Sequence, residues 1–247
     1  MHREIKVHMC AVNDRTIGVV GPPVSIAKIK LIDWPEGNYY TMDKPNPRGE
    51  IVVGGPCVAM GYFKQPGLTA ENFTGPDADG TRWFLTGDIG EVLPNGNLKI
   101  IDRKKDLVKL QFGEYISLGK VEAVLKCCAL VENMCVIGNS YQSFLVALVS
   151  PNKNQLKKLA KELGQNPESP VQDLCSDSAI SAAATKMIAE YGLKNRLSRT
   201  EVPTKYKLCS EEWLPDSGLV TAAYKIRRKM IEQFYQKDIE MLYSSSN

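Results

Sequence analysis

The chain has 247 residues, 43% of them hydrophobic and 24% charged. That is the composition of a globular protein long enough for one large or two modest domains, and it excludes a disordered tail. Residues 1–105 carry 13 basic and 12 acidic side chains and residues 106–247 carry 18 and 16, a balance that excludes the one-sided basic footprint of a nucleic-acid binder.

From Val19 to about Ile101 short apolar runs alternate with Pro- and Gly-rich turn signals: "SIAKIKLIDW", "GEIVVGG", "VAMGYF", "WFLTGD", "GEVL" and "NLKIID". This spacing predicts β-rich structure. Pro94-Asn95-Gly96-Asn97 predicts a tight hairpin between "GEVL" and "LKII", because Asn-Gly tolerates positive φ. After Lys105 the pattern changes. Leu107–Leu110 reads as a strand, and Ser117 caps a helix with Val121, Val124 and Leu125 on one face. The runs in "NMCVIGNSYQSFLVALVSP" and a helix from about Asn154 to Leu163 complete a βαββα-like unit. Residues 165–201 are polar, with a helix around Ala179–Tyr191. The last element reads as a helix with Ile226, Met230 and Phe234 four apart on a face that also takes in Ile231 and Leu242. The joint between the halves falls at "IIDRKKD", either a hinge or a solvated turn.

Several chemistries have little to stand on. Cys10, Cys57, Cys127, Cys128, Cys135, Cys175 and Cys209 are scattered, without a C-x-x-C pair or a nearby histidine, and read as reduced thiols filling cores rather than a metal site. The two histidines, His2 and His8, lie at one terminus, so nucleophile–histidine schemes are disfavoured and catalysis falls to Lys, Asp or Glu. No apolar run approaches the ~18 residues of a membrane span, and "MHREIKVHMC" lacks the apolar core of a signal peptide. A soluble segment is expected.

The stretch "GTRWFLTGDIGEVLPNGNLKIIDRKKDLVKLQFGEYISLGKVE" resembles the signature region of long-chain fatty acyl-CoA synthetases, members of the adenylate-forming superfamily. T-G-D, D-R-K-K-D, a Gly-Glu-Tyr loop and a late lysine follow in the family's order. With "IKLIDWPEGNYYTMDKPNPRGEIVVGG" and "MGYFKQPGLTAENF" the resemblance covers residues 17–247, and "ISLGK" is similar to an animal subgroup that includes synthetases favouring polyunsaturated acids. It implies an α+β fold: residues 1–104 as the β-rich last part of a large AMP-binding domain, and residues 105–247 as a small mobile domain of mixed α/β structure. The family's phosphate loop and Y-G-x-T-E motif would precede these residues. Neither is present, nor is G-x-x-x-x-G-K-[ST], so the chain is expected to be the C-terminal third of such an enzyme, a fragment or truncated gene model inactive without the missing N-terminal large domain. A non-catalytic module that binds a nucleotide or a partner protein is the alternative.

The resemblance implies ATP, Mg²⁺ and coenzyme A as cofactors and a fatty acid as substrate. Asp88, between Gly87 and Gly90 and following Thr86, is implied to accept hydrogen bonds from both ribose hydroxyls, which one carboxylate can do; a turn-capping Asp is the simpler reading. Arg103 matches the family's arginine near that ribose or the phosphates, or is a surface ion-pair partner of Asp102 or Asp106. Lys105 matches the hinge. Lys109 and Gly113 match the strand and loop that turn toward the site in the second half-reaction, though Gly113 also reads as a hairpin turn. Glu122 either orients this loop or faces solvent. Lys225 matches the lysine that bridges carboxylate and α-phosphate in the adenylation transition state, with Tyr224 where relatives often have glycine. Arg227-Arg228-Lys229 could meet the coenzyme A 3′-phosphate, an anionic lipid surface or only water. Relatives sit on endoplasmic reticulum, mitochondrial or peroxisomal membranes through N-terminal segments, so membrane association is expected only through that absent region.

Overall fold

The computed structural model of the chain describes residues 15–244, so His2, His8 and Cys10 lie outside the described residues. The chain divides into two compact units, Met1–Leu107 and Val108–Asn247.

The first unit is built on a four-stranded antiparallel sheet of β1 (Lys28–Ile32), β2 (Arg48–Gly54), β3 (Trp83–Val92) and β4 (Leu98–Arg103), in sequence order, with a short helix α1 (Pro66–Asn72) between β2 and β3. Ile51, Val53 and Leu98 form its core with Val20, Ile29, Leu31 and Val92. The hairpin expected at Pro94–Asn97 joins β3 to β4. Gly96 alone takes a positive φ, of 80°, and Asn95 instead accepts the Asn97 N–H through its side chain at 3.1 Å.

In the second unit β5 (Leu107–Lys109), which begins on the last residue of the first unit, pairs with β6 (Tyr115–Ser117) as a separate hairpin. Ser117 then caps α2 (Leu118–Leu125), its hydroxyl accepting from the Lys120 N–H at 3.2 Å. The main sheet runs β7 (Val131–Ile137), β8 (Val146–Pro151) and β9 (Lys205–Leu208), antiparallel then parallel. Helices α3 (Lys153–Glu162), α4 (Val171–Ser176) and α5 (Ser178–Lys194) lie between β8 and β9. Period-2 alternation sends Met134 and Val136 into one core with α2 and α5, and Cys135 and Ile137 into a second core with Trp213, Ile231 and Tyr235. Burial on both faces explains why "NMCVIG" and "FLVALV" are continuous apolar runs rather than alternating ones.

Three expectations need correction. The first strand of the βαββα reading is not in the main sheet, whose third strand is β9, a four-residue element too short to signal itself. The last helix is two helices, α6 (Arg228–Phe234) and α7 (Gln236–Ser244), and Ile226 precedes them in a β-bridge to Val220. Its buried face is Ile231 and Tyr235, followed by Ile239 and Leu242, whereas Met230 and Phe234 are 47% and 61% exposed. The sequence offers apolar residues on both faces, and packing against the sheet selects the one with the aromatic hydroxyl: Tyr235 accepts from the Trp213 indole N–H at 3.2 Å and donates to Glu211 at 3.0 Å.

Candidate functional site

Thr86-Gly87-Asp88 is an outward bulge in β3. Glu50 pairs with Ile89 and Val52 with Leu85, so one residue of β2, Ile51, faces three of β3. Such an insertion leaves ladder groups without backbone partners, and side chains supply them. The Thr86 hydroxyl donates to the Ile51 carbonyl at 2.7 Å and accepts from the Asp88 N–H at 3.0 Å. The Gly87 N–H donates to Glu50 Oε1 at 3.1 Å. Gly87 has φ +73°, the left-handed region that glycine enters without steric cost.

The register places Asp88 opposite Arg103 on β4, with Arg103 Nε 3.3 Å from Asp88 Oδ1. Arg103 thus has an ion pair with Asp88, while Asp102 accepts from the Tyr39 hydroxyl at 3.1 Å and the Arg103 backbone N–H at 2.7 Å. Partial burial raises the Asp88 pKa, and Arg103 pulls it back while Asp106 and Glu50 push it further up. The Asp88 side chain is still 35% exposed. A carboxylate held by backbone geometry, flanked by a forked cation and open to solvent can accept two hydroxyls at once.

Sequence reasoning missed the group behind this turn. Glu50 is 2% exposed in a strand otherwise buried and apolar from Ile51 to Val53; its Oε1 takes the Gly87 N–H and its Oε2 lies 2.6 Å from the Lys104 ammonium. The single carboxylate within "GEIVVGG" was the available signal. Lys104 opens a single 3₁₀ turn, Lys104–Asp106, that contains the exposed Lys105.

In the second unit, Lys109 ends β5 and Gly113 lies in the turn that leads to β6. Gly113 has φ +86°, its N–H donates to the Leu110 carbonyl at 2.8 Å, and a Cβ there would meet only the Lys109 side chain at 3.9 Å. The hairpin-turn reading of Gly113 therefore holds. The Lys109 ammonium lies 5.2 Å from the Tyr115 ring centre, and Phe112 at the tip is 84% exposed.

Lys225 is exposed on a second hairpin closed by the Val220–Ile226 bridge. Its carbonyl accepts from the Thr221 N–H at 2.8 Å and its N–H donates to the Thr221 hydroxyl at 3.2 Å. Tyr224 takes φ +57°, in the left-handed region that glycine enters without steric cost. Three residues on, Arg228 does not join a solvated cationic face. Its Nη1 lies 2.7 Å from Glu122 Oε1 and 2.5 Å from the Val136 carbonyl, while the Val136 N–H donates to the same Glu122 oxygen at 2.8 Å. Val136 is on β7, an outer strand of its sheet, so the buried ion pair satisfies both backbone groups that an adjacent strand would have satisfied. Glu122 therefore neither faces solvent nor stands free to orient a ligand loop. Arg227 and Lys229 are exposed.

Among the described residues no group of three or more His, Cys, Asp or Glu side chains could hold a metal ion, and no helix is long and apolar enough to cross a membrane. The described cysteines are free, four of them buried.

No protein-family model matches the chain. The chain is similar to long chain acyl-CoA synthetase 8 of Arabidopsis thaliana, 46% identical over 232 residues that make up 94% of this chain and 32% of that protein. Among solved structures it is similar to the adenylation domain of a carboxylate reductase from Mycobacterium chelonae, with a TM-score of 0.75 and 31% identity over 92% of this chain and 32% of that one. A second is the A domain of the carboxylic acid reductase of Segniliparus rugosus, in complex with AMP and a co-purified carboxylic acid, with a TM-score of 0.74 and 30% identity over 91% of this chain and 32% of that one. The homologues of this chain are thus long-chain acyl-CoA synthetases of the adenylate-forming superfamily, its fold is the expected α+β arrangement, and it spans about a third of the length of the curated relatives it matches.

Proposed function

We propose that this chain is the C-terminal portion of a long-chain fatty acid–CoA ligase, which activates a fatty acid with ATP as an acyl-adenylate and passes the acyl group to coenzyme A. The observation that carries this reading is the Asp88–Arg103 pair on the β3 bulge, a partly exposed carboxylate beside a guanidinium in a chain whose homologues are such synthetases.

In this reading Asp88 accepts from the two ribose hydroxyls, Thr86 and Gly87 fix the turn that presents it, and Arg103 lies toward the ribose or phosphate oxygens. Lys225 supplies positive charge where the fatty-acid carboxylate meets the α-phosphate, stabilising a transition state richer in charge than the ground state. Residues 1–104 act as the end of the large domain and residues 105–247 as a mobile small domain, with Lys105 absorbing the backbone change between half-reactions. After that change the Lys109–Gly113 hairpin faces the reacting thiol, and the absence of a side chain at Gly113 leaves room for it. Mg²⁺ is proposed as the counter-ion of the triphosphate, and among the described residues no group of three or more His, Cys, Asp or Glu side chains would hold it. The large domain that this reading requires would carry the phosphate loop and any membrane anchor, to endoplasmic reticulum, mitochondria or peroxisomes. The likeness of "ISLGK" at 116–120 favours placing the parent enzyme in the animal subgroup that includes synthetases favouring polyunsaturated acids, while the acyl preference itself would be set by the large domain.

The test is Asp88→Ala in a chimera that supplies the large domain of a relative. Two charge-assisted hydrogen bonds at roughly 1.5–3 kcal/mol each make at least a tenfold rise in the KM for ATP the expected result, with the KM for fatty acid little changed. An unchanged ATP dependence would return Asp88 to a turn-forming role.

A further inference from the structure

Glu50 stands behind the Asp88 turn with its two oxygens divided. Oε1 accepts from the Gly87 N–H at 3.1 Å, at the centre of the bulge, and Oε2 binds the Lys104 ammonium at 2.6 Å. The Glu50 side chain is 2% exposed and that of Lys104 29%. The lysine also lies 5.3 Å from the Trp34 ring centre, which walls one side of its charge. Satisfying a bulge N–H needs only a neutral acceptor. A buried carboxylate is costly unless a cation accompanies it, and the cation here belongs to the residue directly before Lys105.

We propose that Glu50 is a positioning residue that couples the Asp88 turn to the backbone at the joint, so that neither can move without the other losing its partner. The inference rests on the functional reading above, in which Asp88 holds the nucleotide and Lys105 is the hinge. If Lys104 leaves, Glu50 is an uncompensated buried charge and turns toward water, releasing Gly87. If the Gly87 turn opens, the carboxylate loses the bond that aims Oε2 at Lys104. The nucleotide-holding turn is thereby tied to the rotational state of the joint through one side chain.

Amide hydrogen exchange on the 247-residue chain, without nucleotide, tests the coupling, because local opening reports directly as faster exchange. Lys104→Met should accelerate exchange at least tenfold at residues 103–107 and also at Gly87 and Asp88, which Lys104 does not touch. Lys104→Arg keeps the cation and should restore near-parental rates in both segments. Glu50→Gln retains an acceptor for Gly87 but not the charge, and should accelerate residues 103–107 the most. In all three variants β7 and β8 of the second unit should exchange as in the parent. The inference is overturned if Lys104→Met leaves Gly87 and Asp88 unchanged, if Lys104→Arg behaves like Lys104→Met, or if exchange rises uniformly over β1–β4. Should Glu50→Gln fail to fold, the two Lys104 variants decide alone. Since no nucleotide is present, failure here removes the coupling and leaves the assignment of Asp88 to the ATP-dependence test, while failure there leaves this result standing.

Discussion

Among the described residues each unit holds a buried carboxylate paired with a cation, Glu50–Lys104 in the first and Glu122–Arg228 in the second, and each pair meets backbone groups that a sheet leaves open. They differ in what they secure. Glu122 and Arg228 bracket the N–H and C=O of one residue on an outer strand, fixing α2, β7 and the start of α6 as one body. Glu50 meets one N–H in the middle of a bulge and sends its second oxygen to the segment beside the joint. The first arrangement makes a platform for the Lys225 hairpin; the second makes a turn whose integrity depends on its neighbour. A buried ion pair is weak evidence of net stability but strong evidence of what must stay together, because breaking it strands a charge.

The largest expected effect separates the platform from its surroundings. Arg228→Met should destabilise the second unit by about 3–5 kcal/mol, since Glu122 would be left buried without its cation. Adding Glu122→Gln should recover part of that loss, because the amide oxygen can still accept from Val136. Urea titration of the single and double variants measures both; equal stability of the single variant and the parent would make the pair ornamental.

Next in size is the corrected helix face. Ile231→Ala should cost about 2–5 kcal/mol by emptying a fully buried site, while Met230→Ala should stay within about 0.5 kcal/mol. Loss of stability in the reverse order would restore the face read from the sequence.

What the sequence made legible follows from signal length. The Asn-Gly hairpin, the Ser117 cap, the long helix α5 and the T-G-D turn each carry a local signature. β6 and β9, with three and four residues, carry none. Glu50 and Arg228 were hidden for a different reason: their partners are 54 and 106 residues away, and a charged residue whose partner is distant reads as a surface residue. The Asp88–Arg103 pairing needed the β3–β4 register, which the hairpin turn alone does not fix.

The two hairpins of the second unit give a smaller contrast. Gly113→Ala forces a side chain to φ +86° and should cost about 1 kcal/mol, whereas Tyr224→Gly relieves φ +57° and should be neutral or stabilising by up to about 1 kcal/mol. Thermal melts of the two variants distinguish turn from strain; a marked loss in Tyr224→Gly would mean that the ring is held by packing.

The smallest effect concerns Asp88 itself. Its raised pKa means that the fold favours the protonated carboxyl. This stabilisation is fully present below the unfolded carboxyl pKa, near ~3.9, and is lost as pH rises through the higher folded value. Asp88→Asn should therefore melt slightly above the parent at pH 7, by less than about 1 kcal/mol after allowance for solvent screening. The gain should shrink as the pH approaches 4. A variant less stable than the parent at pH 7 would make the pair with Arg103 the dominant influence on Asp88.

The proposed roles of Lys225 and of the Lys109–Gly113 hairpin are tested most directly by following the two half-reactions separately in a chimera that supplies the large domain. Lys225→Ala should suppress adenylation by ~10²-fold or more, the loss expected for removing a charge partner of the transition state. Given preformed acyl-adenylate, it should transfer the acyl group to coenzyme A at near the parental rate, while Gly113→Leu should show the opposite bias. If Lys225→Ala slowed both half-reactions equally, the lysine would be a structural part of its hairpin, and the division of labour between the two hairpins of the second unit would be wrong.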